Sequence, residues 1–117
     1  MIIEDLLKEL VKRGGSDLHV SHLLPPVMRI DGQLVRHESS VLTPEDVEAL
    51  LFPMLSNEQR RRLEQEWELD FSYGVDNIGR FRVNIYKDKG CYAAAFRTIS
   101  SKAPQLEELG LQESLER

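Results

Sequence analysis

Two arginines, spaced two apart inside an apolar alternation, give this sequence its clearest capacity for chemistry. The segment Gly79-Arg80-Phe81-Arg82-Val83-Asn84-Ile85 reads as an extended strand, and side chains on a strand alternate between faces. Phe81, Val83 and Ile85 then enter a core, while Arg80, Arg82 and Asn84 line the other face. A guanidinium is a permanent cation with a planar fork of donors, matched to carboxylate or phosphate. Arg97 ends the next apolar run, Ala93-Ala94-Ala95-Phe96. If the two runs pair as a hairpin, three arginines converge on one polyanion. The same pattern also describes a solvated sheet face carrying surface ion pairs.

Other catalytic constellations are missing from the sequence. It contains no GxxxxGK[ST] phosphate loop, no GxGxxG after a strand and no GxSxG elbow. His19 and His22 fall on opposite faces of an extended segment, without a cysteine or clustered acids beside them, so no metal site is expected. Asp17-Leu18-His19 reads as a charge-oriented histidine or as a surface pair. Glu64, Glu66, Glu68 and Asp70 change face where helix gives way to strand, which defines no carboxylate pair. The residues alone therefore describe a non-catalytic domain whose arginine face is either an anion site or a solvated, ion-paired surface.

The elements that must position these arginines follow from periodicity. Ile3, Leu6, Leu7, Leu10 and Val11 recur at helical spacing, and Gly14-Gly15 stops the helix. Leu18-His19-Val20 is a short strand. After Pro25-Pro26, Val27 to Ile30 and Gln33 to His37 form a hairpin about Asp31-Gly32, a pair that supplies positive φ. Thr43-Pro44-Glu45-Asp46 starts a helix whose stripe is Val47, Leu50, Leu51 and Met54. Ser56 and Gln59 form a capping box for a charged helix that buries Leu63 and Trp67. Leu69, Phe71, Tyr73 and Val75 alternate as a strand, with Asp70 and Ser72 opposite. Asn77 and Gly79 turn it into the arginine strand, and Lys87 to Gly90 turns that into Cys91 to Ile99. The expected class is α+β, an antiparallel sheet with helices packed mainly on one face.

Composition limits the partners. The 117 residues suit one small domain, and the net charge of −5 gives no general pull toward nucleic acid or an anionic membrane. Cys91 is the only cysteine, which excludes an internal disulfide and suits a reducing compartment. It reads as a buried structural thiol. Met1 to Asp5 lacks a signal-peptide pattern, and no apolar run is long enough to span a bilayer. The expected location is cytoplasmic. After Pro104 the apolar stripe of Leu106, Leu109 and Leu111, broken by Gly110, reads as the beginning of a connector.

Several segments in order resemble a known family. Gly15-Ser16-Asp17-Leu18-His19-Val20-Ser21 and Pro25-Pro26-Val27-Met28-Arg29-Ile30-Asp31-Gly32 look like the start of PilT-type ATPases. These are the type IV pilus retraction motors behind twitching motility, within the secretion ATPase superfamily. The likeness continues through Asp70-Phe71-Ser72, Gly79 to Asn84, Ala95-Phe96-Arg97-Thr98-Ile99 and Leu106-Glu107-Glu108-Leu109-Gly110. The chain departs from the family's pattern at His22-Leu23-Leu24, at Cys91 and at Ser100-Ser101-Lys102. Ser-Asp-Leu-His and Phe-Arg-Thr-Ile favour the principal retraction type over accessory paralogues.

The resemblance implies a PAS-like N-terminal domain over residues 1–103. Residues 104–117 would begin a linker to a RecA-like ATPase domain that the sequence does not contain. The chain by itself would not hydrolyse ATP. In such motors the N-terminal domain closes over nucleotide and supplies arginines to the γ-phosphate. On this sequence those are Arg82 and Arg97, with Arg80 as a third phosphate contact. ATP, with Mg in the parent, would be held mainly by the missing domain and not tightly by this chain. The implied partners are RecA-like domains of the same and neighbouring subunits in a homohexamer, at the pilus machinery platform on the inner membrane. Asp17, His19, Arg29 and Asp31 would be interface material. The alternative is a stand-alone PAS-like small-molecule sensor or interaction module.

Overall fold

The computed structural model describes residues 2–38 and 41–99. Residues 100–117, with the expected connector, lie outside the described residues. The element order is α1 (Ile3–Lys12), β1 (Gly15–Val20), β2 (Val27–Ile30), β3 (Gln33–Arg36), α2 (Pro44–Leu51), a 3-10 turn (Phe52–Met54), α3 (Asn57–Glu66), β4 (Glu68–Val75), β5 (Gly79–Asp88) and β6 (Cys91–Ile99). The strands form one six-stranded sheet in the order β3-β2-β1-β6-β5-β4. Every pairing is antiparallel.

This order explains how distant residues meet. The β1–β2–β3 meander runs to one edge, and α2 and α3 carry the chain across to β4 at the other. The β4–β5–β6 meander then walks back, so β6 closes against β1 in the centre. Tight turns set the registers. Asp31 and Gly32 take φ of 53° and 78°, and Lys89 and Gly90 take 53° and 84°. Positive φ at both central residues is the hairpin turn that matches strand twist. Asn77 at φ 64° turns β4 into β5.

The helix boundaries have local causes. Thr43 caps α2, accepting from the Asp46 backbone while the Asp46 side chain accepts from the Thr43 N–H. Ser56 and Gln59 close the same reciprocal box on α3. Gly14, at φ 73°, ends α1. Gly15 then permits a close approach: a Cβ there would lie 2.5 Å from Leu10 Cδ1 and 3.0 Å from the Arg29 carbonyl oxygen.

Buried residues of α1, α2, α3 and the sheet form one continuous core. It includes Leu6, Leu7 and Leu10, Val47 and Leu51, Leu63, and from the sheet Leu18, Met28, Phe81, Val83, Ile85 and Phe96. Each such side chain contributes roughly 1.5–3 kcal/mol by leaving water. The polar alternates Asp17, His19, Arg29, Asp70, Ser72, Arg80, Arg82 and Arg97 point away from this core. The helices thus cover one face of the sheet, and among the described residues no element covers the other.

Two expectations are corrected. Trp67 is not buried by α3. It caps the helix in the left-handed conformation, φ 64°, so its side chain leaves the stripe occupied by Leu63 and is 61% exposed. The Lys87 ammonium lies 5.4 Å from its ring centroid, close enough for a cation–π attraction. Cys91 is half-buried, because it opens β6 directly after the surface turn at Lys89 and Gly90.

Candidate arginine site on the open sheet face

The alternation of β5 buries Phe81, Val83 and Ile85 completely and turns Arg80 and Arg82 to the open face. Register then sets their neighbours. Arg82 stands opposite Arg97 in the β5–β6 ladder. Arg97 stands opposite Asp17 in the β6–β1 ladder, and Asp17 opposite Arg29 in the β1–β2 ladder. One transverse row therefore carries Arg82, Arg97, Asp17 and Arg29 across four central strands.

Arg80, Arg82 and Asn84 of β5 are each bonded diagonally to β4. Arg80 Nη2 donates to Ser72 Oγ at 3.0 Å, and Arg82 Nη2 and Nε donate to the Asp70 carboxylate at 3.0 and 3.4 Å. Asn84 Nδ2 donates to Glu68 Oε2 at 3.1 Å. Arg80 fits beside Gly74 because glycine leaves room: a Cβ there would sit 3.0 Å from the Arg80 guanidinium. On the other side, Arg97 Nε donates to Asp17 Oδ2 at 3.3 Å, and Ser16 Oγ donates to Asp17 Oδ1 at 2.6 Å.

The electrostatics follow these contacts. Burial works to raise the Asp17 carboxyl. The hydrogen bonds from Ser16 and Arg97 and the charges of Arg97 and His19 outweigh it, and hold the group below the ordinary aspartate range. The Asp70 hydrogen bond and charge strengthen the protonated state of Arg82. Both guanidinium groups remain open to solvent, Arg82 at 69% and Arg97 at 75% exposure. Two adjacent cations with exposed forks can both reach one multiply charged anion.

Sequence reasoning named all three arginines, and the structure brings Arg82 and Arg97 side by side. Arg80 lies one alternation further along β5 and faces Ile99 across the ladder. Surface ion pairing, the competing description of this face, is also present in the Arg82–Asp70 and Arg97–Asp17 contacts. The carboxylate partners were not identified from sequence. Asp70 was legible as an outward alternate of β4, but its diagonal contact depends on register. Asp17 appeared to belong with His19, whereas its bonded partner is Arg97, supplied by the far end of the chain. Among the described residues no three histidine, cysteine or acidic side chains are grouped to hold a metal. No helix among them is long and apolar enough to cross a membrane.

No known family profile matches the chain. Individual relatives do. The type IV pilus retraction ATPase PilT of Pseudomonas aeruginosa is 41% identical over all 117 residues, which span 34% of that protein. The type IV pilus ATPase PilU of the same organism is 32% identical over the whole chain, spanning 31% of its own length. A crystal structure of the pilus retraction motor PilT with bound ADP superposes with a TM-score of 0.82 at 38% identity, covering 95% of this chain and 33% of that one. The chain spans about one third of the length of these relatives. With this sequence likeness over its full length and this shared fold, the chain belongs to the PilT-type proteins as an N-terminal domain.

Proposed function

We propose that this chain is the regulatory, arginine-supplying domain of a hexameric ATPase motor that powers type IV pilus retraction. The observation that carries the reading is the direct pairing of Arg82 with Arg97 on a sheet face that no described element covers. The relatives that match the chain along its full length are pilus ATPases, and the superposable PilT is an ADP complex. Both arginines then meet the terminal phosphates of ATP held with Mg by a RecA-like domain that follows in the parent protein. Arg80 is a supporting contact. Residues 1–103 act as a PAS-like unit, and 104–117 begin the linker. The motor works in the cytoplasm, against the pilus platform at the inner membrane.

The physical argument is charge placement. In phosphoryl transfer, negative charge spreads over the transferring oxygens, and a positioned arginine is worth on the order of 10³–10⁵ in rate. A domain that brings arginines only when it closes also couples nucleotide state to domain position. What this chain contributes is two oriented cations on a rigid sheet and a protein surface that excludes water once docked. The test is ATP turnover in the full-length parent. Arg82→Ala and Arg97→Ala should each lower kcat at least about tenfold with the fold retained. Wild-type turnover in both variants would remove the arginine role.

A further inference from the structure

Asp70-Phe71-Ser72 is part of the family resemblance that the proposed function leaves unused, and its carboxylate holds one of the two arginines. The two arginine–carboxylate contacts differ in kind. Arg82 gives two donors, Nε and Nη2, to the two oxygens of Asp70, at 3.4 and 3.0 Å. That side-on fork is an edge able to take two oxygens of a phosphate. Arg97 is held through Nε alone, at 3.3 Å from Asp17. Its terminal nitrogens make no hydrogen bond among the described residues. The carboxylates differ too. Asp17 is 14% exposed and receives Ser16 as well as Arg97, whereas Asp70 is 47% exposed and Arg82 is its one ion-pair partner among the described residues.

Arg97 can therefore meet a phosphate with its Asp17 contact intact, while Arg82 presents this edge only by giving up Asp70. Resting on the reading that both arginines meet phosphate, we infer that Asp70 is a competing carboxylate that occupies Arg82 until an anion displaces it, and that Asp17 is a positioning residue that aims Arg97. An exposed bond such as Arg82–Asp70 is weak enough to exchange. A phosphate group, with more charge than one carboxylate, wins the exchange when it also engages Arg97. The arrangement gives the site a threshold: a lone carboxylate or other monovalent anion meets Arg97 only, and a polyphosphate recruits both.

The two aspartates then have opposite effects on anion binding, which a purely structural role does not produce. Tripolyphosphate is the probe, titrated into the 117-residue chain and followed by the Nε–H NMR signals of Arg82 and Arg97. Asp70→Asn should tighten binding about three- to fivefold, the scale of an exposed ion pair removed from competition. Asp70→Glu should keep the natural affinity, and Asp17→Asn should weaken it. Equal or weaker binding by Asp70→Asn, with binding weakened in Arg82→Ala, overturns the inference and leaves the arginine reading standing. Binding that is absent throughout, or unaffected by Arg82→Ala and Arg97→Ala, overturns the inference, while the arginine reading stands or falls on turnover in the full-length parent. Should Asp17→Asn fail to fold, the exposed Asp70 variants decide the matter alone.

Discussion

Arg97 stands directly across the β5–β6 ladder from Arg82, and each is tied to a carboxylate on the side away from the other. Like charges directly opposite one another destabilise a sheet. The flanking aspartates offset that repulsion without standing between the two cations. Taken across the strands, the bonded charges Asp70, Arg82, Arg97 and Asp17 therefore run minus, plus, plus, minus, with Asp70 set one diagonal step off the row and the positive centre turned to solvent.

A first prediction separates this arrangement from a structural one. Arg82 is largely exposed, and its removal ends both a surface ion pair and a like-charge contact. These effects oppose one another, so Arg82→Ala should leave the urea midpoint unchanged within error. The same substitution should lower the salt sensitivity of tripolyphosphate binding, since fewer cations then face the anion. A large fall in the urea midpoint would show instead that Arg82 is a support for the sheet.

The Asp17 carboxylate gives a pH signature. Its folded value lies below the ordinary one because Ser16 and Arg97 outweigh burial. Stability from this group is therefore fully present above its unfolded value of about 3.9, and is lost as pH falls through the folded value. Asp17→Asn should cost about 1 kcal/mol at pH 7, and the difference from the natural chain should be smaller at pH 2. Urea denaturation at the two pH values measures this. A deficit undiminished at low pH would assign the effect to lost packing and not to charge.

Local chemistry carried much of this fold into the sequence, and register carried little. Thr43, Ser56 with Gln59, Asp31-Gly32 and the alternation of Phe81, Val83 and Ile85 each announce an element through a nearby partner or a short period. The strand order does not announce itself, because β3 and β4 are consecutive in the sheet's sequence order yet occupy opposite edges. The Asp17–Arg97 contact depends on that order and on the bulge between Gly15 and Asp17. Trp67 was misread for a different reason. Its helical spacing fits a buried stripe, but the helix ends there and a left-handed cap redirects the side chain.

Trp67 yields a prediction against the usual expectation for tryptophan. A bulky residue with positive φ costs roughly 1–2 kcal/mol relative to glycine, and glycine is the preferred residue where a helix ends in this conformation. Against that stands a mostly exposed ring with Lys87 above it, worth about 0.5–1 kcal/mol. The two effects nearly cancel. Trp67→Gly should change stability by less than about 1 kcal/mol, whereas Trp67→Ala, which keeps the strain and loses the ring, should cost more than the glycine. Thermal denaturation of the two variants side by side checks the order, and a glycine variant less stable than the alanine one would refute it.

Gly15 couples the helical layer to the arginine row. A Cβ at this position meets the tip of Leu10, which is movable, and the Arg29 carbonyl, which is backbone of the neighbouring strand. The side chain can rotate away only within a packed core, and the carbonyl can yield only by shifting β2 against β1. Gly15→Ala should therefore cost about 1–3 kcal/mol through overpacking. Gly14→Ala has open space around its Cβ but φ of 73°, so it should cost only about 1 kcal/mol in backbone strain. Displacement of β1 also moves Asp17, two residues on, and with it the Arg97 contact. The Gly15 variant, and not the Gly14 one, should shift the Arg97 Nε–H NMR signal. Equal shifts in both would mean that the α1–β1 junction does not set the geometry of the row.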